Sequence, residues 1–582
     1  MRLFITLSFF VLISSGIFAQ MFTKITSGSM VNDGGDSRAV NWIDYDNDGD
    51  VDLFVTNGPQ QGENNFFYEN NGDGTFTKID TIVIAQDGKA SDGSSWGDID
   101  NDGDVDLFVA NWWGQPNLLY LNNGDKTFTF VDNSIVTTES SYSETGSWGD
   151  YDSDGFLDLY VCNSGGNLKN FLYKNNGDGS FTKINDTFLN ETFASRNVDW
   201  IDYNNDGWQD IFVTNENNQN ENLYLNNGDG TFTIGNVPSL LQNGGSTAGS
   251  NWEDIDNDGD FDVLLVNWGN QRNHLLINNG DGTFTKLNEE PFTTDVSNSF
   301  GSSVGDIDND GDLDITIARA FTSLKTANRL YINNNDGTFT KSNDAVVRDS
   351  GWTYGVAFGD YDKDGWLDLF EARCYNENEN NVLFNNNGGI NNWIMLSLEG
   401  VLSNKSAIGA IVKLKAEISG NPVWQMRKVA GQNGYCGQNL QVHFGLRDAT
   451  QIDSLVIQWP SGIIQSVQGL NLNHYNEVVE DTNTVSVDEK SEQSPLGFNL
   501  DQNYPNPFNP TTIISWQSPI STRQVLKVYD VLGNEIITLV DEEKEAGSYE
   551  INFNSAGLSS GIYFYSLSAG YYQQTKKMIL LR

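Results

Sequence analysis

Short runs of alternating apolar and polar residues dominate this chain, and none keeps a helical period over two turns. The runs fall into groups of four. Each group opens on a stretch that ends in Trp42, Trp96, Trp148, Trp200, Trp252, Val304 or Phe358. An acidic loop follows, then an apolar run such as DLFVAN or DIFVTN, then one such as NLLYLN or NLYLN. The turn NNGDG leads into the fourth run, TFTKI or similar. Asn-Gly and Asp-Gly tolerate positive φ and suit hairpins, so each group predicts four antiparallel strands.

The acidic loop fixes the repeat. DYDNDGDVD starts at Asp44, DIDNDGDVD at Asp98, DYDSDGFLD at Asp150, DYNNDGWQD at Asp202, DIDNDGDFD at Asp254, DIDNDGDLD at Asp306 and DYDKDGWLD at Asp360. The starts are 54, 52, 52, 52, 52 and 54 residues apart. Seven repeats of four strands predict an all-β fold, a seven-bladed β-propeller. The fourth run occurs at Phe76, Phe128, Phe181, Phe232, Phe284 and Phe339, but the seventh repeat lacks it. The missing copy stands at Phe22-Thr23-Lys24-Ile25, so this strand is expected to complete the last blade and close the ring. A linear solenoid would not need such a permuted strand.

The loop pattern D-x-[DN]-x-D-G-x-x-D sets oxygen side chains at positions 1, 3, 5 and 9, with Gly at 6 for the sharp turn. Such a set suits Ca²⁺, a hard cation that takes six to eight oxygens. The predicted ligands are Asp44, Asp46, Asp48, Asp52; Asp98, Asp100, Asp102, Asp106; Asp150, Asp152, Asp154, Asp158; and Asp202, Asn204, Asp206, Asp210. The last three loops add Asp254, Asp256, Asp258, Asp262; Asp306, Asp308, Asp310, Asp314; and Asp360, Asp362, Asp364, Asp368. Position 12 is apolar (Val55, Val109, Val213), so the loop joins two strands and position 9 is expected to be bidentate. About seven Ca²⁺ sites follow. These repeats resemble the FG-GAP/VCBS family, whose best-known members form the integrin α-subunit propeller. The resemblance covers residues 20–392 and implies calcium in these loops. It does not identify a ligand.

Strand order puts the acidic loops on one face of the ring. The opposite-face loops begin at Asn57, Asn111, Asn163, Asn215, Asn267, Arg319 and Arg373. Trp112, Trp113, Trp268 and Tyr375 lie beside them, and with Arg319 and Arg373 they form the candidate ligand face, suited to a glycan or a protein segment. Packing among the blade ends would explain the same residues. Arg38, Asp92, Glu144 and Arg196 enter the first strands but form no recognisable catalytic set, and the chain is not expected to be an enzyme. Recognition or adhesion outside the cell is the leading function. The alternatives are an enzyme acting on extracellular polysaccharide and a purely structural scaffold.

Beyond the repeats, residues 393–480 carry Ile408-Gly409-Ala410, Gly434-Tyr435, Phe444-Gly445-Leu446 and Trp459-Pro460-Ser461-Gly462. These resemble the ASPIC/UnbV domain that follows such repeats in the cartilage acidic protein family. The alternating apolar runs read as a small β domain. Residues 481–497 are polar and acidic, a linker. Residues 498–582 contain Tyr504-Pro505-Asn506-Pro507-Phe508-Asn509-Pro510 and a basic, apolar tail. They resemble the type A sorting domain of type IX secretion, with a β-sandwich expected. That resemblance implies the type IX machinery as a partner and a Gram-negative source. Gly557-Leu558-Ser559-Ser560-Gly561 fits a hydrolase elbow in spelling, but no helix follows it.

Residues 1–19 read as a secretory signal, with Arg2 before an apolar stretch too short to cross a membrane. No transmembrane span is predicted, and the protein is expected to be secreted or on the cell surface, past both bacterial membranes. Three scattered cysteines (Cys162, Cys374, Cys436) and three histidines (His274, His443, His474) supply no clustered site. Lys+Arg number 32 against 79 Asp+Glu, a net charge of −47 on a chain only 19% charged. That field repels phosphate backbones and argues against nucleic acid. With Trp 15, Tyr 22 and Phe 33 the chain is no disordered acidic polymer. The loops hold 27 ligand Asp plus Asp50, Asp104, Asp260 and Asp312, 31 of the 79 acids. Seven Ca²⁺ would bring −47 to −47 + 14 = −33.

Overall fold

The structure is a computed structural model. It describes residues 20–482 and 499–580, apart from 289, 323, 375–377, 433, 436 and scattered positions after 500. The signal-like segment 1–19 and most of the linker lie outside the described residues, as do Tyr375 and Cys436. Of the described residues, those up to 482 form one compact unit and those from 499 a second.

The first unit contains seven four-stranded antiparallel sheets, numbered here by their loops. Sheet 4 is typical. Ser195–Ile201, Asp210–Asn215, Asn222–Asn226 and Phe232–Ile234 pair in sequence order. The first strands of successive sheets are neighbours, and Thr353–Gly359 of sheet 7 lies beside Ser37–Ile43 of sheet 1, so the ring is closed. Tryptophans at the ends of first strands bridge the sheets. Trp42 Nε1 donates to Ala357 O at 3.3 Å, Trp148 to Ser95 O at 3.1 Å and Trp200 to Ser147 O at 3.0 Å. These three indoles keep their one donor satisfied this way, and each adds a large apolar area to its seam. The ring-closing strand is where the repeat count puts it. Phe22–Lys24 pairs antiparallel with Val382–Asn386, with Thr23 opposite Asn385. Phe22 is fully buried in the seventh sheet's core.

The 393–480 region is built of two sheets. One joins Val442–Arg447, Asn392–Glu399 and Tyr475–Val479. The other joins Asn421–Lys428, Ile411–Ile418, Ser454–Gln458 and Ile464–Val467. It is not a free-standing module. Its core is continuous with sheets 2 and 3, where Ile99, Trp148 and Leu157 pack with Ile408, Val412 and Phe444 in one buried cluster. One segment goes further. Gly437–Asn439 pairs in parallel with Val40–Trp42, the innermost strand of sheet 1, so sheet 1 has a fifth strand inside the ring. Gln438 fixes it, donating to Trp96 O at 2.8 Å and accepting from Trp96 N at 2.7 Å.

The second unit packs Asn499–Leu500, Thr511–Ser518 and Gly547–Asn554 in one sheet. Thr522–Tyr529, Glu535–Lys544, Gly561–Ala569 and Tyr572–Leu580 form the other. Trp516, Leu526, Tyr565 and Met578 are buried between them, a β-sandwich core. Gly557 takes φ +105° in a turn between two strands, not at a strand-to-helix elbow. No helix among the described residues is long and apolar enough to cross a membrane.

Candidate metal centres and the plugged channel

All seven acidic loops share one set of internal hydrogen bonds. The position-1 carboxylate caps its own loop: its Oδ1 accepts from the position-5 N–H and its Oδ2 from the Gly N–H. In loop 1 these are Asp48 N to Asp44 at 3.1 Å and Gly49 N to Asp44 at 2.9 Å. The same pair recurs on Asp98, Asp150, Asp202, Asp254, Asp306 and Asp360. The position-9 Asp ties the loop to its sheet. Asp52 accepts from Asn70 N at 2.7 Å and from Tyr45 N at 3.4 Å.

Two anchors escaped the sequence reading. Position 4 is in the left-handed region in every loop, from Asn47 at φ 57° to Lys363 at φ 57°, and five of the seven are Asn, which tolerates it. Its side chain reaches the next loop. Asn47 donates to Gly103 O, Asn101 to Gly155 O, Asn257 to Gly311 O and Asn309 to Gly365 O, at 2.8–3.1 Å. The second anchor is the first Asn of the NNG turn. Asn70, Asn122, Asn175, Asn226, Asn333 and Asn386 each donate to a carbonyl of the preceding sheet's loop. The turn Asn is spelled alike in all seven repeats and position 4 is Asn in five, and that was the available signal.

These bonds leave the position-3 oxygens and part of positions 1, 5 and 9 facing one point. Carboxylate oxygens of Asp44, Asp46 and Asp48 lie within 4.8 Å of one another, as do those of Asp254, Asp256 and Asp258. In loops 2, 3 and 6 the converging sets are Asp98, Asp100 and Asp106; Asp150, Asp152 and Asp158; and Asp306, Asp308 and Asp314. Asp152 Oδ1 and Asp308 Oδ1 are buried and accept no hydrogen bond. Orphaned anionic oxygens at the point of convergence fit a cation, and an all-oxygen donor set fits a hard one. Burial pushes these carboxyls up: Asp44 and Asp98 to about 6, Asp52 and Asp106 to about 9, with neighbouring loop carboxylates adding to the effect. In loop 3 the ammonium of Lys174 lies against Asp152 and is 3.2 Å from Asp154, a cation supplied by the chain itself.

The 393–480 domain lies on the loop side of the ring. The Tyr475 hydroxyl donates to Asp360 Oδ2 at 2.6 Å. Asp98 N donates to Ser406 Oγ at 2.8 Å, Lys405 N to Asn101 Oδ1 at 3.0 Å, and Arg447 N to Asn309 O at 2.8 Å. From this side the inserted segment runs into the channel and ends in Tyr435. The Tyr435 hydroxyl is 2.6 Å from Glu144 Oε2, 3.2 Å from Asp92 Oδ1 and 3.0 Å from the Tyr354 hydroxyl. Arg196 pairs with Glu144 at 2.7 Å and Arg38 with Asp92 at 3.2 Å. Burial raises Asp92 to about 7, against the pull of Arg38. The four charged residues that looked unconnected in sequence thus form one buried network, closed by a tyrosine from another domain. Gly434 makes this possible. Its φ is +56°, and a methyl group there would overlap Ser302 O.

On the opposite face Trp112 is half-buried, donates to Ser164 Oγ at 3.0 Å and meets Trp113 and Tyr142 edge-on. Trp113 is 40% exposed. Trp268 is half-buried against Phe300. Arg319 and Arg373 are turned away from this surface. Arg319 donates to Ala327 O, and Arg373 is buried against Asp349 and Glu371. They occupy the place of Asn57, Asn111, Asn163, Asn215 and Asn267, all buried at the strand ends.

Comparison with known proteins fits this architecture. The FG-GAP-like repeat matches residues 44–109, 98–161, 150–213, 202–265, 254–317 and 320–371. "ASPIC and UnbV" matches 400–485, and the secretion system C-terminal sorting domain matches 502–581, which indicates export by the type IX system to the cell surface or outside. Cartilage acidic protein 1 of Xenopus tropicalis is 30% identical over 319 residues, 51% of this chain and 47% of that protein. The Mus musculus protein is 30% identical over 287 residues, 46% of this chain and 43% of its own. The chain thus spans about half the length of these relatives. Among solved structures, an α-L-arabinanase of Penicillium chrysogenum covers 62% of this chain and 98% of its own, at 11% identity and a TM-score of 0.33, too slight a likeness to bear on function. Since the repeat match runs through more than half of the chain, the protein belongs to the FG-GAP-like repeat family, with an ASPIC/UnbV domain and a secretion sorting domain appended.

Proposed function

We propose that this protein is an exported, calcium-loaded β-propeller that recognises an extracellular glycan or protein on the face bearing Trp112, Trp113 and Trp268. The observation that carries the reading is the position of the 393–480 domain. It lies against the loop side and fills the channel from there, which leaves the opposite face for a partner. A half-exposed indole beside amide and hydroxyl groups suits a sugar ring or a peptide segment. Calcium is supported by the all-oxygen donor sets and by the orphaned oxygens of Asp152 and Asp308. Bound there, Ca²⁺ would neutralise the converging carboxylates and hold the loops in shape.

A recognition role without catalysis is supported by the state of the central carboxyls. Asp92 and Glu144 are each paired with an arginine and with Tyr435, and both are almost fully buried. The test is a glycan and matrix-protein array probed with the calcium-loaded chain. Binding that falls with Trp112→Ala or Trp268→Ala supports the reading. Binding untouched by both overturns the assigned face, and turnover of an arrayed polymer overturns the non-enzymatic role.

A further inference from the structure

The seven loops are alike in their internal bonds but not in what covers them. Loops 2, 6 and 7 are hydrogen-bonded to the ASPIC/UnbV domain through atoms of the metal-binding segment itself, and Gly155 of loop 3 lies close to Leu402 O. In loop 7, Asp360 Oδ2 accepts both Gly365 N and the Tyr475 hydroxyl at 2.6 Å. Trp393 lies flat enough on Gly365 that a methyl group there would overlap its indole, and it meets Tyr475 edge-on at 5.7 Å. In loop 2, Ser406 Oγ accepts from Asp98 N, and Asn101 Oδ1 accepts from Lys405 N. In loop 6, Asn309 O accepts from Arg447 N, and Gly445 lies against Asp306 so closely that a side chain would not fit. Asp98, Asp254, Asp306 and Asp360 are each 1% exposed, whereas Asp44 and Asp202 are half-buried. Among the described residues no hydrogen bond joins loops 1, 4 or 5 to this domain.

We infer that the ASPIC/UnbV domain is a calcium-dependent clamp on the propeller, in which Tyr475, Ser406 and Arg447 are positioning residues for the metal centres of loops 7, 2 and 6. The inference rests on the calcium reading above. Groups that orient a metal's ligands from outside raise its affinity, and loss of one such group costs about tenfold or more. The coupling is reciprocal. A docked domain holds Asp360 and its neighbours ready for the ion, and the ion fixes the loop surface on which the domain docks. The seven centres therefore divide into a tight, domain-bonded class and a weaker, open class that includes loop 1. Removing the metal loosens the domain and, with it, the hold of Tyr435 in the channel.

The test uses the full chain, stripped of metal and titrated with Ca²⁺. Hydrogen exchange is followed in peptides 402–409, 443–449 and 472–478, alongside a chelator-competition titration. Expected are slower exchange in all three peptides on calcium loading and two affinity classes. Tyr475→Phe, which keeps the ring and its packing, should weaken one tight site about tenfold and leave the others unchanged. Exchange in the three peptides that ignores calcium, while the loop peptides become protected, overturns the clamp and spares the calcium reading. So does a Tyr475→Phe titration identical to that of the parent chain. Absence of any bound calcium overturns the calcium reading, and the clamp with it.

Discussion

Tyr435 donates its hydroxyl to Glu144 at 2.6 Å across 291 positions of sequence, and the acceptor stands on the first strand of its sheet, Ser143–Gly149. Tyr435→Phe removes the donor and leaves a buried carboxylate with one partner fewer. The expected loss is about 1–3 kcal/mol, the cost of an unsatisfied buried group. Tyr435→Ala adds a cavity and should cost about 3–5 kcal/mol. Urea unfolding of the 20–482 unit reads both values, and equal losses for the two variants would contradict the bonding role.

The metal-free chain should lose stability as pH rises. Folding raises the loop carboxyls from 3.8 to about 6 at Asp44 and Asp98 and to about 9 at Asp52 and Asp106. A group raised by folding stabilises the native state below its unfolded value. That contribution is lost as pH climbs through the folded one. In chelator, the melting temperature should therefore fall between pH 5 and pH 9, about the window of these shifts. Calcium binds the deprotonated loops and should reverse the trend. A melting temperature that rises with pH in chelator would exclude this account.

Loop 3, like loop 1 with Lys126 against Asp46, already holds a side-chain cation. Lys174 brings its own cation to Asp152 and Asp154, where a divalent ion would have to displace it. Lys174→Met should tighten calcium at one site by about tenfold, the effect of removing one like charge from a metal centre. It should also lower the melting temperature in chelator, because the loop's acids then repel unscreened. Competition titration and thermal melts of the same preparation check both effects.

The closing strand offers a separate test. Phe22 is fully buried, and Phe22–Lys24 covers the edge of Val382–Asn386. Phe22→Asp should destabilise the first unit by several kcal/mol, about the cost of burying an unpaired charge. It should also expose a strand edge that promotes self-association. Sedimentation of the variant as an unchanged monomer with unchanged stability would mean the strand is dispensable.

Much of this was legible because the information was periodic. One loop written seven times fixes four strands, a spacing and the missing strand that Phe22 supplies. The plug was not legible, because nothing near Tyr435 names its partners. Glu144, Asp92 and Tyr354 come from three different repeats, and Gly434 is required only by Ser302, which folding brings against it. Arg38, Asp92, Glu144 and Arg196 looked mismatched one by one, since their pairing runs between sheets. Arg319 and Arg373 read as surface cations, but their register matches five buried asparagines, and register decides which way a strand-end side chain points.

The ring-closing strand also sets an order of events. The last sheet needs Phe22–Lys24 and Val382–Asn386 together, so no closed ring exists until residue 386 has joined the first twenty-odd residues. Until that pairing forms, the edge of Val382–Asn386 stays uncovered. The plug at Tyr435 in turn binds side chains of three different sheets, so its full set of partners exists only in the assembled ring. Circularity thus makes the integrity of the last sheet depend on the first residues of the ring.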